Sequence, residues 1–121
     1  MSDKKKDPIG FSFAWNGIRE VARTERNFQI HLAATLLIII AGFIFQLTRL
    51  EWAILFLVIG LVLVAEITNS AIEKIMDHLK PELDPSAGVI KDIAAGAVLV
   101  SAITALVVGL IIFIPKLYVL L

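Results

Sequence analysis

Three long apolar runs dominate the chain, from about Leu32 to Leu47, Trp52 to Ile72 and Ile93 to Ile114, and none carries the alternating polar face of a soluble helix. Each comes near the ~20 residues that a bilayer core requires, so the pattern predicts transmembrane helices over 32–47, 52–72 and 93–114. Phe28 and Ile30 extend the first of them. Ahead of these runs, Phe11, Ala14, Trp15, Ile18, Val21 and Ala22 recur at helical spacing within residues 10–28, while Arg19, Arg23 and Arg26 occupy other faces. This predicts an amphipathic helix lying in the membrane interface with its arginines near lipid headgroups. Residues 1–9, with Lys4, Lys5 and Lys6, are too polar to pack, and no apolar stretch of the kind a signal peptide needs follows them. Residues 1–121 are therefore expected to form one all-α membrane domain, an interfacial helix followed by three crossings.

Composition strengthens the membrane reading, since 59% hydrophobic residues and a mean hydropathy of +0.90 lie well above soluble domains. The absence of cysteine excludes disulfides, thiolate metal sites and cysteine nucleophiles. Eleven basic and eleven acidic residues balance, but their placement does not. Lys4, Lys5, Lys6, Arg19, Arg23, Arg26, Lys74, Lys80 and Lys91 fall on one side of the predicted crossings, and Arg49 and Lys116 on the other. The positive-inside rule then expects a multi-pass membrane protein with a cytoplasmic N-terminus, an external C-terminus, and Trp52 and Tyr118 as outer anchors.

The exception to the apolar pattern is the end of the second run, where Glu66, Asn69, Glu73 and Asp77 fall within roughly 80° of one another on a helix. Ionisable groups are expensive in a membrane, so an aligned set marks a site. Fourteen steps of ~1.5 Å separate Trp52 from Glu66, which places Glu66 toward the inner boundary and Glu73 to Asp77 at or beyond it. Glu25, by helical angle, continues the apolar face of the first helix and points a carboxylate at the bundle. The segment Lys80 to Gly88, with Pro81, Pro85 and Gly88, ends the second crossing. Lys91 and Asp92 follow at the start of the third, where a helix N-terminus favours an anion such as phosphate. Carboxylates for a divalent metal beside a lysine for phosphate are the parts phosphoryl transfer needs. No phosphate-binding glycine-rich loop, H-E-x-x-H pair or serine elbow occurs, so the usual soluble nucleotide folds, metalloproteases and esterases are excluded.

Three segments, Glu66-x-x-Asn69-Ser70-Ala71-Ile72-Glu73-x-x-x-Asp77, Lys91-Asp92 before Ala94-Ala95-Gly96-Ala97, and Thr24-Glu25-Arg26-Asn27-Phe28-Gln29-Ile30-His31, together resemble the small integral-membrane prokaryotic diacylglycerol kinases. The resemblance covers nearly the whole chain. It implies a homotrimer with active sites shared between subunits and transfer of the ATP γ-phosphate to a lipid alcohol of a bacterial cytoplasmic membrane. It implies Glu66 as general base with Asn69 beside it, and Glu25 and Glu73 as ligands of the Mg²⁺ that accompanies ATP. Lys6, Asp77, Glu82, Asp84, Lys91 and Asp92 would join Glu25 and Glu73 around the nucleotide, and Arg19, Asn27 and His31 would join Glu66 around the lipid. Phe13 stands where proteobacterial members carry a nucleotide-site tyrosine, keeping a stacking surface without the hydroxyl. The T-E-R-N-F-x-I-H form of the third segment is more similar to the undecaprenol kinase branch, which makes undecaprenol the expected acceptor and diacylglycerol the alternative.

Other readings of the same residues stay open. His31 could cap the first crossing without touching substrate, Arg19 could serve headgroups alone, and the Ala94–Ala97 run reads as helix packing. A small proton-coupled exporter would need its acid near the midplane, and a non-catalytic scaffold would need no acid at all. No nucleic-acid partner is expected.

Overall fold

The computed structural model describes residues 10–79 and 85–121, which form four helices: α1 (Phe11–Thr24), α2 (Arg26–Ile44), α3 (Arg49–Leu79) and α4 (Pro85–Leu120). The last three are long and apolar enough to cross a membrane. α1 is amphipathic as its spacing requires, with Phe11, Trp15 and Ile18 exposed and Val21 buried.

This first helix is shorter than the 10–28 expected from periodicity. Glu25 adopts an extended conformation (φ −98°, ψ 112°), and Asn27 and Phe28 belong to α2. Side chains make this break: Thr24 Oγ1 donates to the Glu20 carbonyl at 2.7 Å, and Gln29 Nε2 reaches back to the carbonyls of Ala22 and Arg23 at 3.0 and 3.2 Å. The Ala22 and Arg23 carbonyls, which another turn of helix would have satisfied, are thus capped, and the Thr24 hydroxyl adds a second bond to a carbonyl inside α1. Glu25 is a hinge residue rather than a helix-face residue, and it still turns its carboxylate toward α3.

α2 ends at Ile44, three residues short of the expected 47, in a Schellman turn. Leu47 N donates to the Gly42 carbonyl at 3.1 Å and Gln46 N to Phe43 at 3.3 Å, with Gln46 in the left-handed region at φ 56°. Thr48 and Glu51 then open α3 with a capping box: Glu51 N donates to Thr48 Oγ1 at 3.2 Å and Thr48 N to Glu51 Oε1 at 2.8 Å. Gly42 is needed where α2 and α3 meet, because a Cβ there would stand 2.5 Å from the Trp52 ring. That ring packs against Phe43 and Phe56 at 4.9 and 5.6 Å between centroids.

α3 and α4 form the principal pairing, α2 lies on α3, and α1 touches both α2 and α3. Two ion pairs set the antiparallel register, Asp77–Lys91 at 2.7 Å and Glu51–Lys116 at 2.9 Å. From 51 to 77 is 26 steps on α3 and from 91 to 116 is 25 on α4, so the helices pair without slippage. At ~1.5 Å per step the two pairs stand about 39 Å apart, close to the thickness of a bilayer with its interfacial regions. Leu47, Leu55 and Ile112 form a buried core at the Glu51 end, with Ile38, Trp52, Val58 and Phe113 around it. The polar stripe lies toward the opposite end.

Candidate functional site

α3 has 31 residues, about ten more than a bilayer core needs, and the excess places its last turns beyond the apolar stretch that ends near Ile72. On the inward face, Glu66, Asn69 and Ser70 are buried at 3%, 5% and 2% exposure. Asn69 Nδ2 donates to Glu73 Oε1 at 3.1 Å, while its Oδ1 is buried and without a partner. This amide therefore holds Glu73 and keeps an acceptor in reserve. Glu66 faces His31 of α2, with Nε2 to Oε2 at 3.8 Å, a distance for charge attraction rather than a hydrogen bond. Seven residues, about 10 Å along the axis, separate Glu66 from Glu73, so the stripe runs from a sealed interior to the polar end.

Lysines occupy that polar end. Lys74 Nζ bonds Glu25 Oε1 at 3.0 Å, tying the α1–α2 hinge to α3. The Glu25 hydrogen bond and charge hold the Lys74 ammonium above the ordinary lysine range, desolvation opposes them, and Glu20 and Glu73 add attraction. Glu25 and Glu73 thus act on one ammonium from different elements. Lys91 Nζ bonds Asp77 Oδ1 at 2.7 Å. Lys74 was not among the residues expected at the site, although its place beside Glu73 in the motif was the signal for it.

One step of the sequence argument needs correction. α4 begins at Pro85, so Lys91 and Asp92 lie past the first turn and away from its free N–H groups. Any anion held there is held by side chains, not by the helix end. Asp92, Arg19 and Asn27 are exposed. Arg19 lines an open depression of about 500 Å³ on α1 with Asn16, Glu20 and Arg23, whose guanidinium pairs with Glu20 at 2.6 Å. Lys6, Glu82 and Asp84 fall outside the described residues.

Among the described residues no group of three or more His, Asp or Glu side chains converges as a metal cage. Glu25 and Glu73 stand on separate elements, both within the attraction of Lys74.

Comparison with known proteins agrees with this geometry. A family model described as prokaryotic diacylglycerol kinase matches residues 12–113. An undecaprenol kinase of Bacillus subtilis (strain 168) is 48% identical over 107 residues, 88% of this chain and 87% of that protein. A diacylglycerol kinase of Synechocystis is 36% identical over 90% of this chain and 63% of its own length. A diacylglycerol kinase of Escherichia coli (strain K12) is 30% identical over 78% of each. A match across most of the chain, joined to three apolar helices with acidic side chains at one end, means that this protein belongs to the prokaryotic diacylglycerol kinase family, on its undecaprenol kinase-like branch.

Proposed function

We propose that the chain is a lipid kinase that transfers the γ-phosphoryl group of ATP directly to the hydroxyl of undecaprenol. The observation that carries this reading is the graded acidic stripe of α3, in which Glu66 is buried against His31 of α2 while Glu73 and Asp77 reach the polar end. In this reading the lipid hydroxyl approaches Glu66 from the side of the more open His31, and a nucleotide meets Glu73 and Asp77 from water. The 48% identity to an undecaprenol kinase favours the isoprenoid alcohol, and the lower identities to diacylglycerol kinases keep diacylglycerol as the second acceptor.

In this reading Glu66 accepts the proton of the lipid hydroxyl as its oxygen attacks phosphorus, since an alcohol is a weak nucleophile unaided. Asn69 fixes Glu73 through its amide. Glu25 and Glu73 would hold Mg²⁺, which neutralises charge on the phosphates when bound with ATP. Lys91, Asp77 and Asp92 would line the nucleotide side; Lys6, Glu82 and Asp84, which the family resemblance adds to them, lie outside the described residues. Arg19, Asn27 and His31 lie on the lipid side. Binding a polyanion there would free Lys74 and Lys91 from their carboxylates to meet phosphate oxygens.

The protein works as a homotrimer with sites shared between subunits, because one layer of three crossings and a surface helix offers too little wall to enclose both substrates. Its N-terminus lies in the cytoplasm, on the side of Arg19, Arg23, Arg26, Lys74 and Lys91. An exporter would have no use for carboxylates held by lysines at the polar end.

The deciding assay offers undecaprenol and diacylglycerol together, with labelled ATP, to the purified protein and to Glu66→Gln and Glu73→Gln. Preferred labelling of undecaprenol, lost in both variants while trimers still assemble, is the expected result. Undiminished turnover by either variant removes that residue's role, and an active monomer in nanodiscs removes the shared site.

A further inference from the structure

The acidic side chains of this end are not neutralised alike. Glu25 has Lys74, Asp77 has Lys91, and Glu73 has the Asn69 amide. Glu66, the most deeply buried of them, has an imidazole: His31 Nε2 lies 3.8 Å from its Oε2, with the two side chains 25% and 4% exposed. His31 sits on α2, and its carbonyl accepts the Thr35 hydroxyl at 2.8 Å, so its backbone is fixed. In the register set by the two terminal ion pairs, the α4 residue level with Glu66 is Ser101, whose buried hydroxyl already donates to the Val98 carbonyl at 2.8 Å. Among the described residues, no lysine or arginine forms an ion pair with Glu66.

An ionised carboxylate among apolar helices is costly unless a cation stands beside it, and only the ionised form can take a proton. A histidine side chain can supply that charge within the ordinary pH range. We propose that His31 is the positioning residue and counter-ion of Glu66, its imidazolium keeping the carboxylate charged and aimed until the lipid hydroxyl arrives. The inference rests on the kinase reading, in which Glu66 is the base. During transfer the lipid oxygen forms its bond to the γ-phosphorus, and the bond from that phosphorus to the bridging oxygen breaks with its electron pair on ADP. The hydroxyl proton passes to Glu66. Glu66 then gives this proton up to water past the more open His31, which keeps its charge throughout, and the resting pair is restored. The lysines at the polar end take no part in this exchange.

The test uses full-length protein in nanodiscs, with kcat and KM for MgATP and for undecaprenol measured from mildly acidic to alkaline pH. For His31→Gln, kcat at neutral pH is expected to fall by about tenfold or more, the loss of an opposite charge at this range. KM for MgATP stays within about twofold, and the deficit narrows as the pH rises. His31→Lys, which restores a fixed cation, regains kcat. A folded His31→Gln protein with wild-type turnover, or a loss independent of pH that lysine does not rescue, overturns the proposal. Should the glutamine variant fail to assemble, an assembled but inactive lysine variant overturns it equally. Glu66→Gln separates the two levels: activity there defeats the base assignment itself, whereas inactivity there beside an unaffected His31→Gln defeats this inference alone.

Discussion

Replacing Asn69 with leucine separates what the polar stripe does for stability from what it does for chemistry. The side chain is 5% exposed; Nδ2 holds Glu73 at 3.1 Å, and Oδ1 has no partner. Leucine has a similar shape and carries neither polar atom. Losing a hydrogen bond to a charged group costs about 1.5–3 kcal/mol, and removing a buried unpaired acceptor returns about 1–3 kcal/mol, so folding stability should change by no more than ~2 kcal/mol. Activity has no such compensation. Glu73 loses its anchor, and the same 1.5–3 kcal/mol, at about 1.4 kcal/mol per decade, predicts a ~10- to 150-fold loss in kcat/KM for MgATP. Thermal unfolding in detergent, followed by circular dichroism, gives the first quantity, and phosphate transfer from labelled ATP gives the second. Wild-type activity in a folded leucine variant would show that Glu73 needs no anchor. A loss of more than ~2 kcal/mol in stability would make Asn69 a structural residue and refute the separation.

Three further outcomes are expected from the fold. Gln46→Gly should raise stability by about 1 kcal/mol, because glycine adopts φ 56° without strain, and a β-branched residue there should lower it; melting temperatures decide. Gly42→Ala drives a methyl into a Trp52 ring pinned by Phe43 and Phe56, an overpacking cost of about 1–3 kcal/mol against ~1 kcal/mol gained in helix propensity, so the melt falls and Trp52 fluorescence shifts. The Thr48 backbone N–H, aided by Lys116, holds Glu51 below the usual carboxylate range. Its stabilisation is therefore complete above the ordinary glutamate pKa and disappears as pH falls through the lowered value. Acid melts of wild type and Glu51→Gln should converge there, and parallel curves would refute the assignment.

Much of this was readable in the chain because the membrane leaves few alternatives. Three apolar runs of this length are read as helices, since only a helix satisfies every backbone group in lipid within a single segment, and the carboxylates of α3 had to share a face because their spacing is helical. Periodicity failed where side chains compete with the backbone. The end of α1 depends on Thr24 and Gln29 capping carbonyls, and the end of α2 depends on Gln46 entering a left-handed conformation, neither of which a hydrophobic pattern encodes. Pro85 opens α4 six residues ahead of Lys91, which removes the helix-terminus argument for phosphate binding there. At the site, the aligned residues were legible and their partners were not. Lys74 with Glu25, and His31 with Glu66, are contacts between different helices, set by how α1 and α2 lie on α3.

The order of those partners along the bundle follows from solvation. An ammonium is compact and strongly hydrated, so it stays where water reaches, and Lys74 and Lys91 keep 54% and 36% of their side chains exposed. Beside Lys74, Glu73 is held by the Asn69 amide as well as by attraction to that ammonium, and at the deepest position Glu66 faces the His31 imidazole. Lysines thus attend the carboxylates at the polar end, and none pairs with the deepest one among the described residues. The kinase function proposed for the chain accounts for this order. Lysines that trade a carboxylate for a phosphate belong where the nucleotide enters, and a base that must gain and lose one proton per turnover belongs where the lipid hydroxyl sits.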